Sequence, residues 1–414
     1  MATLSYEFAG GRLNGEYDPR FSAVVDTFKK NFTELGEVGA SLCLSLHGET
    51  VVDLWGGLAR ASTETPWERD TVSVVYSSTK GAVALAAHTL ISQGKLDLEA
   101  PVGDYWPEFA SNGKESATVR MMLNHSAGVP ANREKLPDGA YRDWDFMVDQ
   151  IAQEAPFWTP GTRNGYHMMT FGWTVGELIR RVTNQSLGSY FAASLAQPLG
   201  AEFWIGLPDE HLDKVAPMIA HRPEKGAPIG DFTKALLAGA DTLQSQALFN
   251  NGGFNPNEAV YHKAEIGGGG GISNGRGLAT IYAPFANGGC LDGKEYVTPS
   301  ALARMSEVSV ATGEDATLLI PTRFGLGFMK SMDNRARAAV DKSSVVLSAS
   351  AFGHVGAGGS IGFADPAAGL SFGYSMNKMG PGILLNERGQ GLVDATYEAL
   401  GYVDDGAGVW HRNT

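Results

Sequence analysis

Residues 72–94 run Val72-Ser73-Val74-Val75-Tyr76-Ser77-Ser78-Thr79-Lys80-Gly81-Ala82-Val83-Ala84-Leu85-Ala86-Ala87-His88-Thr89-Leu90-Ile91-Ser92-Gln93-Gly94. The β-branched and aromatic residues up to Tyr76 predict a short strand. From about Ser77 the pattern predicts a helix to Gln93, stopped by Gly94. Ala82, Val83, Leu85, Ala86 and Leu90 spread apolar character around it, so the helix is expected inside the core. Ser77 and Lys80 stand at i and i+3 in its first turn and share a face. Free N–H groups and the helix dipole favour a developing anion there. A neutral serine is a poor nucleophile and needs a base. Lysine can be that base only if its pKa falls well below about 10.4, and burial pushes it that way. The plainer reading of the pair is an N-cap serine with a surface lysine.

Working outward, residues 21–35 carry Phe21, Val24, Val25, Phe28 and Phe32 at helical spacing. Gly39–Leu46 and Thr50–Trp55 read as two strands joined by a turn at His47-Gly48-Glu49. The stretch from about 100 to 290 reads mainly as helices and loops, with helices at 143–153, 174–185 and 186–196. Strand patterns return at Gly325–Lys330, Ser344–Ser350, Gly359–Ala364 and Leu370–Met376, and a last helix fits Gln390–Leu400. Strand-rich ends around a helical middle predict an α/β (α+β) chain with one sheet built from both ends. Residues 1–100 and 290–414 would form that part, and 101–289 an inserted, mainly helical domain. A cleft between two such lobes is a usual place for a site.

Composition excludes several classes. The 414 residues are 43% hydrophobic and 19% charged, with a net charge of -13. That suits a globular chain with a sizeable core. No basic cluster of the kind that displaces counterions from nucleic acid is present. No stretch approaches the 18 or so apolar residues of a membrane span, and the first residues lack the pattern of a secretory leader. Two cysteines, Cys43 and Cys290, make no disulfide framework and suit a reducing cytoplasm. The histidines lack metal-ligand spacing, so neither metal nor cofactor is expected.

Three other motifs have plain readings. Ser111-Asn112-Gly113-Lys114 repeats S-x-x-K, but in a polar loop with no apolar helix to desolvate the lysine. Gly369-Leu370-Ser371-Phe372-Gly373 matches the G-x-S-x-G elbow, yet Ser371 lies inside a strand pattern and the elbow needs a strand-to-helix turn. Gly267–Gly271 lacks the following G-K-[ST] of a phosphate loop and reads as a flexible turn.

The ordered set of motifs resembles a known superfamily. Ser77-x-x-Lys80 is followed by Leu96-Asp97-Leu98-Glu99-Ala100-Pro101-Val102 and Thr118-Val119-Arg120-Met121-Met122-Leu123-Asn124-His125-Ser126-Ala127-Gly128. Then come Pro160-Gly161-Thr162-Arg163-Asn164-Gly165-Tyr166 and Phe352-Gly353-His354-Val355-Gly356-Ala357-Gly358-Gly359-Ser360. Together they resemble the serine β-lactamases and penicillin-binding proteins. Within these, the nearest likeness is to class C β-lactamase-like esterases, the family VIII carboxylesterases. The resemblance runs from about residue 35 to 400. It implies an antiparallel sheet flanked by helices, with Ser77 as nucleophile and Lys80 and Tyr166 sharing the proton work. Which of the two is the acylation base stays open. A lysine cation beside the phenol would lower its pKa from about 10. The implied oxyanion hole is the backbone N–H of Ser77 and of Ala357.

Two departures from the family pattern bear on substrate. Y-x-N is replaced by Tyr166-His167-Met168, so Met168 stands where an amide would grip a substrate amide. K-T-G is replaced by His354-Val355-Gly356, and a neutral imidazole is a weaker anchor for a carboxylate than an ammonium ion. His354, Gly356 and Met168 are the expected substrate-binding residues. The implied reaction is hydrolysis of a small-molecule carboxylic ester, with weak β-lactamase activity. The alternatives are a β-lactamase or D-amino-acid amidase, an acyltransferase of the same fold, and a catalytically silent scaffold.

Overall fold

The computed structural model describes residues 1–412, so the last two residues of the 290–414 segment lie outside the described residues. An antiparallel sheet forms its centre. In the order of pairing it contains β1 (Ala2–Phe8), β2 (Gly11–Tyr17), β4 (Glu49–Arg60), β3 (Gly39–Leu46) and three C-terminal strands, Leu370–Met376, Ile361–Asp365 and Phe352–Val355. The two ends of the chain join where Tyr374 pairs with Leu42 and Phe372 with Leu44. Every residue of β3 and of Leu370–Met376 is buried. Strands covered on both faces lose the apolar–polar alternation of a one-sided sheet.

Helix α1 (Ser22–Thr33) and the last helix, Glu387–Ala399, pack together. The helix Gly275–Ala286 lies along β3 and the strands Ile361–Asp365 and Leu370–Met376. It falls in the 101–289 segment assigned above to the insertion, yet it covers the sheet. Glycines allow the approach: a Cβ on Gly373 would lie 2.1 Å from Gly275 O, and one on Gly362 would lie 2.8 Å from the Tyr282 ring. Helix α2 (Ser78–Ser92) is buried from Ser78 to Leu90. It packs between the strand Phe352–Val355 and the helix Phe171–Thr183. Its lack of a polar face thus has a direct cause.

Some expected elements differ. Gly325–Lys330 and Ser344–Ser350 are not continuous strands; single bridges such as Met329–Gly353 and Met332–Val345 replace them. A tight turn at Gly325, with Gly327 at φ +88°, breaks the first. Val72–Tyr76 shrinks to Ser73–Val74, paired with Ile272–Ser273. The expected helix 186–196 is regular only over Leu187–Phe191 and then widens into a π-helical turn at Ala192–Ala196. The hairpin β1–β2 has no counterpart in the sequence reading. No helix among the described residues is long and apolar enough to cross a membrane.

Candidate active site

Tyr76 turns the chain from the short strand into α2 with φ +45°, a left-handed conformation that is strained for an aromatic residue. The next residue, Ser77, is the half-buried N-cap of α2. Its own backbone N–H and that of Ala357 donate to no backbone carbonyl among the described residues. The segment around Ala357 is pressed against this turn. Ser78 Oγ donates to His354 O at 3.2 Å, and a Cβ on Gly356 would lie 2.2 Å from Val75 O. Gly356 is therefore needed for close approach, and its N–H is taken by Ser360 O.

Lys80 is 0% exposed. Its Nζ donates to Gly268 O at 2.5 Å and lies 2.9 Å from Ser77 Oγ. No carboxylate pairs with it among the described residues. Burial pulls its pKa well below the ordinary lysine value. A neutral amine that donates to Gly268 O keeps a lone pair for the Ser77 proton.

Gly267–Gly271, expected to be a flexible turn, is instead a buried wall. A Cβ on Gly268 would strike Met169 O at 2.3 Å, and one on Gly271 would lie 2.5 Å from Thr79 Oγ1. This close packing brings the Gly268 carbonyl to Lys80. The sequence showed the glycines but not what they pack against.

Tyr166 reaches the pair from the other side. Lys80 Nζ lies 4.8 Å from its ring centroid, and the phenol oxygen is 3.5 Å from His354 Nε2. Burial pushes the phenol pKa above its ordinary value, and hydrogen bonding with Ser77 offsets only part of this. The expectation that Lys80 would lower it fails, because a lysine held neutral supplies little positive field. The Tyr166 N–H is taken by both carboxylate oxygens of Asp315, at 2.9 and 3.1 Å. His125 packs edge-on against the Tyr166 ring, with centroids 4.9 Å apart. Neither Asp315 nor His125 drew a role from sequence. Asp315 sits in an ordinary polar loop, and His125 was one letter of a longer motif.

His354 is 1% exposed. Its Nδ1 bonds Val355 O at 2.7 Å, which places the proton on Nδ1 and leaves Nε2 as an acceptor toward Tyr166. Burial, then Lys80, which carries its charge at the low pH where this ring would take a proton, pushes its pKa down to about 3, so the ring is neutral near pH 7. Met168 is half-buried at the edge of the sheet-side core.

The G-x-S-x-G stretch and the second S-x-x-K resolve differently. Ser371 lies inside a strand, its hydroxyl buried without a hydrogen-bond partner among the described residues. Lys114 is 1% exposed rather than solvated. It donates to the carbonyls of Ser111, Ala152 and Glu154 at 3.0, 2.9 and 2.6 Å. Three carbonyls replace its water, and they tie the loop to the end of the helix Trp144–Gln153.

Known proteins share this arrangement of elements. The family model described as Beta-lactamase matches residues 28–393. Esterase/beta-lactamase LipL of Mycobacterium tuberculosis (strain ATCC 25618 / H37Rv) is 32% identical over 377 residues, 90% of this chain and 84% of that protein. The crystal structure of a family VIII carboxylesterase is 37% identical with a TM-score of 0.83, covering 94% of this chain and 99% of the other. EstA from Arthrobacter nitroguajacolicus Rue61a is 29% identical with a TM-score of 0.80, covering 97% and 99%. A match from residue 28 to 393 takes in the S-x-x-K helix, Tyr166 and the His354 strand alike, and this chain belongs to the β-lactamase family.

Proposed function

We propose that this protein is a serine hydrolase that cleaves small-molecule carboxylic esters through an acyl-enzyme on Ser77. One observation carries the reading: a fully buried lysine amine without a counter-ion among the described residues, 2.9 Å from a half-exposed serine hydroxyl at a helix mouth. Relatives named as esterases or carboxylesterases support it.

In this mechanism Ser77 Oγ attacks the carbonyl carbon and its proton passes to Lys80 Nζ. The new oxyanion is held by the N–H groups of Ser77 and Ala357. Collapse breaks the bond to the alkoxy oxygen, which leaves as the alcohol with the proton relayed through the Tyr166 hydroxyl. Water then attacks the acyl carbon, gives its proton back to the Tyr166–Lys80 pair, and releases the acid as Ser77 recovers its hydrogen. Deprotonated Tyr166 is too costly as the resting base, since burial opposes the phenolate.

His354, Gly356 and Met168 border the substrate in this reading. Neutral His354 and apolar Met168 offer no charge for a carboxylate and no amide grip, so esters are preferred to β-lactams. We place the reaction in the cytoplasm, where the free thiols of Cys43 and Cys290 would persist. We also propose that residues 101–289 form the segment inserted into the sheet domain, with the helix Gly275–Ala286 returning to cover the sheet.

The test is Ser77→Ala with p-nitrophenyl butyrate. A folded variant should lose turnover by at least about 10³-fold. Turnover retained in that variant would overturn the reading.

A further inference from the structure

Behind Tyr166 lies a carboxylate that the reaction does not touch. Asp315 is 0% exposed. Its hydrogen-bond donors are the backbone N–H groups of Tyr166, Thr317 and Leu318 and the Thr322 hydroxyl. No cation pairs with it among the described residues. A buried carboxylate without a cation is expensive, and it persists only when its donors are well placed.

Those donors come from three segments that meet at the site. Thr317 and Leu318 belong to the loop 315–320, which is closed by Asp315 N donating to Ile320 O at 2.9 Å. Thr322 opens the strand Thr322–Phe324. Tyr166 comes from a distant stretch of chain. The loop is also pinned from outside. Gln244 Nε2 donates to Ala316 O and Thr317 O at 2.9 and 3.1 Å, and Ala316 N donates to Asn164 O at 3.0 Å. Gly165 completes the fit, since a Cβ there would lie 2.9 Å from Ala316 Cβ. The backbone at Tyr166 and its two preceding residues is thus held by the loop 315–320.

We propose that Asp315 is a positioning residue for the reaction at Ser77, fixing the Tyr166 backbone so that the phenol stays against Lys80 and His354. This rests on the ester-hydrolase reading. Asp315 also acts at a distance, because its negative charge opposes formation of the phenolate. The other titratable groups facing the phenol are Lys80 from α2, His354 from the strand Phe352–Val355 and His125 edge-on to the ring. Both histidines are held neutral by burial.

The experiment is Asp315→Asn, which keeps the shape and one acceptor oxygen but removes the charge. Wild-type turnover of p-nitrophenyl butyrate and fluorophosphonate labelling of Ser77 are measured first. They report on the hydrolase reading separately. In the variant, kcat per labelled site should fall roughly 10- to 100-fold, with KM changing less than about threefold. A merely structural role would lower Tm but leave kcat per labelled site and its split from KM in place. A kcat within about twofold of wild type would overturn the proposal. If Asp315→Asn does not fold, Thr322→Val decides. It removes one donor and keeps the charge, so kcat should fall severalfold with KM little changed, and an unchanged kcat overturns the proposal.

Discussion

Lys80→Met should give a dead enzyme that is more stable than the wild type near neutral pH. The amine is fully buried and held well below the usual lysine pKa. The unfolded chain binds its proton up to about pH 10.4. The folded protein binds it only at lower pH, so the unfolded state holds more protons between the two values. Stability therefore rises with pH across that window. An amine kept neutral in the fold at pH 7.5 costs roughly 4 kcal/mol relative to the unfolded chain. Methionine removes this cost but also removes the hydrogen bonds to Ser77 Oγ and Gly268 O, about 1 kcal/mol each. The net gain is roughly 2 kcal/mol at pH 7.5; it should vanish near about pH 9 and turn into a net loss above that, where only the lost hydrogen bonds remain. Ester turnover should fall by about 10² to 10⁴, the usual weight of a general base. Urea midpoints at several pH values, with p-nitrophenyl butyrate kinetics beside them, measure both. A variant less stable than wild type at pH 7.5, by an amount that does not change with pH, would refute the neutral-amine reasoning.

Other outcomes follow from buried groups elsewhere. His88, His125, His167 and His354 are all held below the ordinary imidazole pKa, first of all by burial, with His88 and His167 pushed to about 4. The unfolded chain takes up these protons below about pH 6.5 while the folded chain does not, so stability falls as the pH drops, by roughly 4–5 kcal/mol per pH unit near pH 5.5. Urea midpoints that stay flat from pH 7 to 5 would contradict this. Lys114→Met leaves three carbonyls unpaired and should cost about 2–4 kcal/mol, while kcat per labelled Ser77 stays unchanged; loss of kcat there would give the second S-x-x-K a role in the chemistry. Gly81→Ala puts a Cβ 1.9 Å from the Tyr282 hydroxyl and should cost about 1–3 kcal/mol. That hydroxyl has no hydrogen-bond partner among the described residues, so Tyr282→Phe should relieve the clash in the double variant, and additive losses would contradict the assigned contact.

What the sequence disclosed depends on the distance over which each signal acts. The pairing of Ser77 with Lys80 is local, three residues apart on one helix turn, and spacing alone suggested it. The apolar ring of residues from Ala82 to Leu90 announced that the helix is buried. Tyr166 and His354 came from a resemblance carried by whole motifs, not from periodicity. The Gly268 carbonyl and the Asp315 carboxylate were invisible because each meets its partner across more than a hundred residues. Lys114 misled for a related reason. A polar loop looks solvated in one dimension, and the carbonyls of Ala152 and Glu154 that desolvate its lysine arrive from another helix end. The phenol of Tyr166 was misjudged in sign, since the reading gave Lys80 a charge that burial removes. The strands expected at Gly325–Lys330 and Ser344–Ser350 have strand-like composition but are broken by turns and by carbonyls turned toward Lys330.

The most direct measurement is rapid acid quench of the enzyme turning over p-nitrophenyl butyrate, followed by mass spectrometry of the digested protein. A butyryl group should appear on the peptide carrying Ser77, in step with the first turnover of nitrophenol, and be absent from Ser77→Ala. Steady turnover with no acyl group on that peptide, or with the group on another residue, would contradict the assignment of Ser77 as the nucleophile.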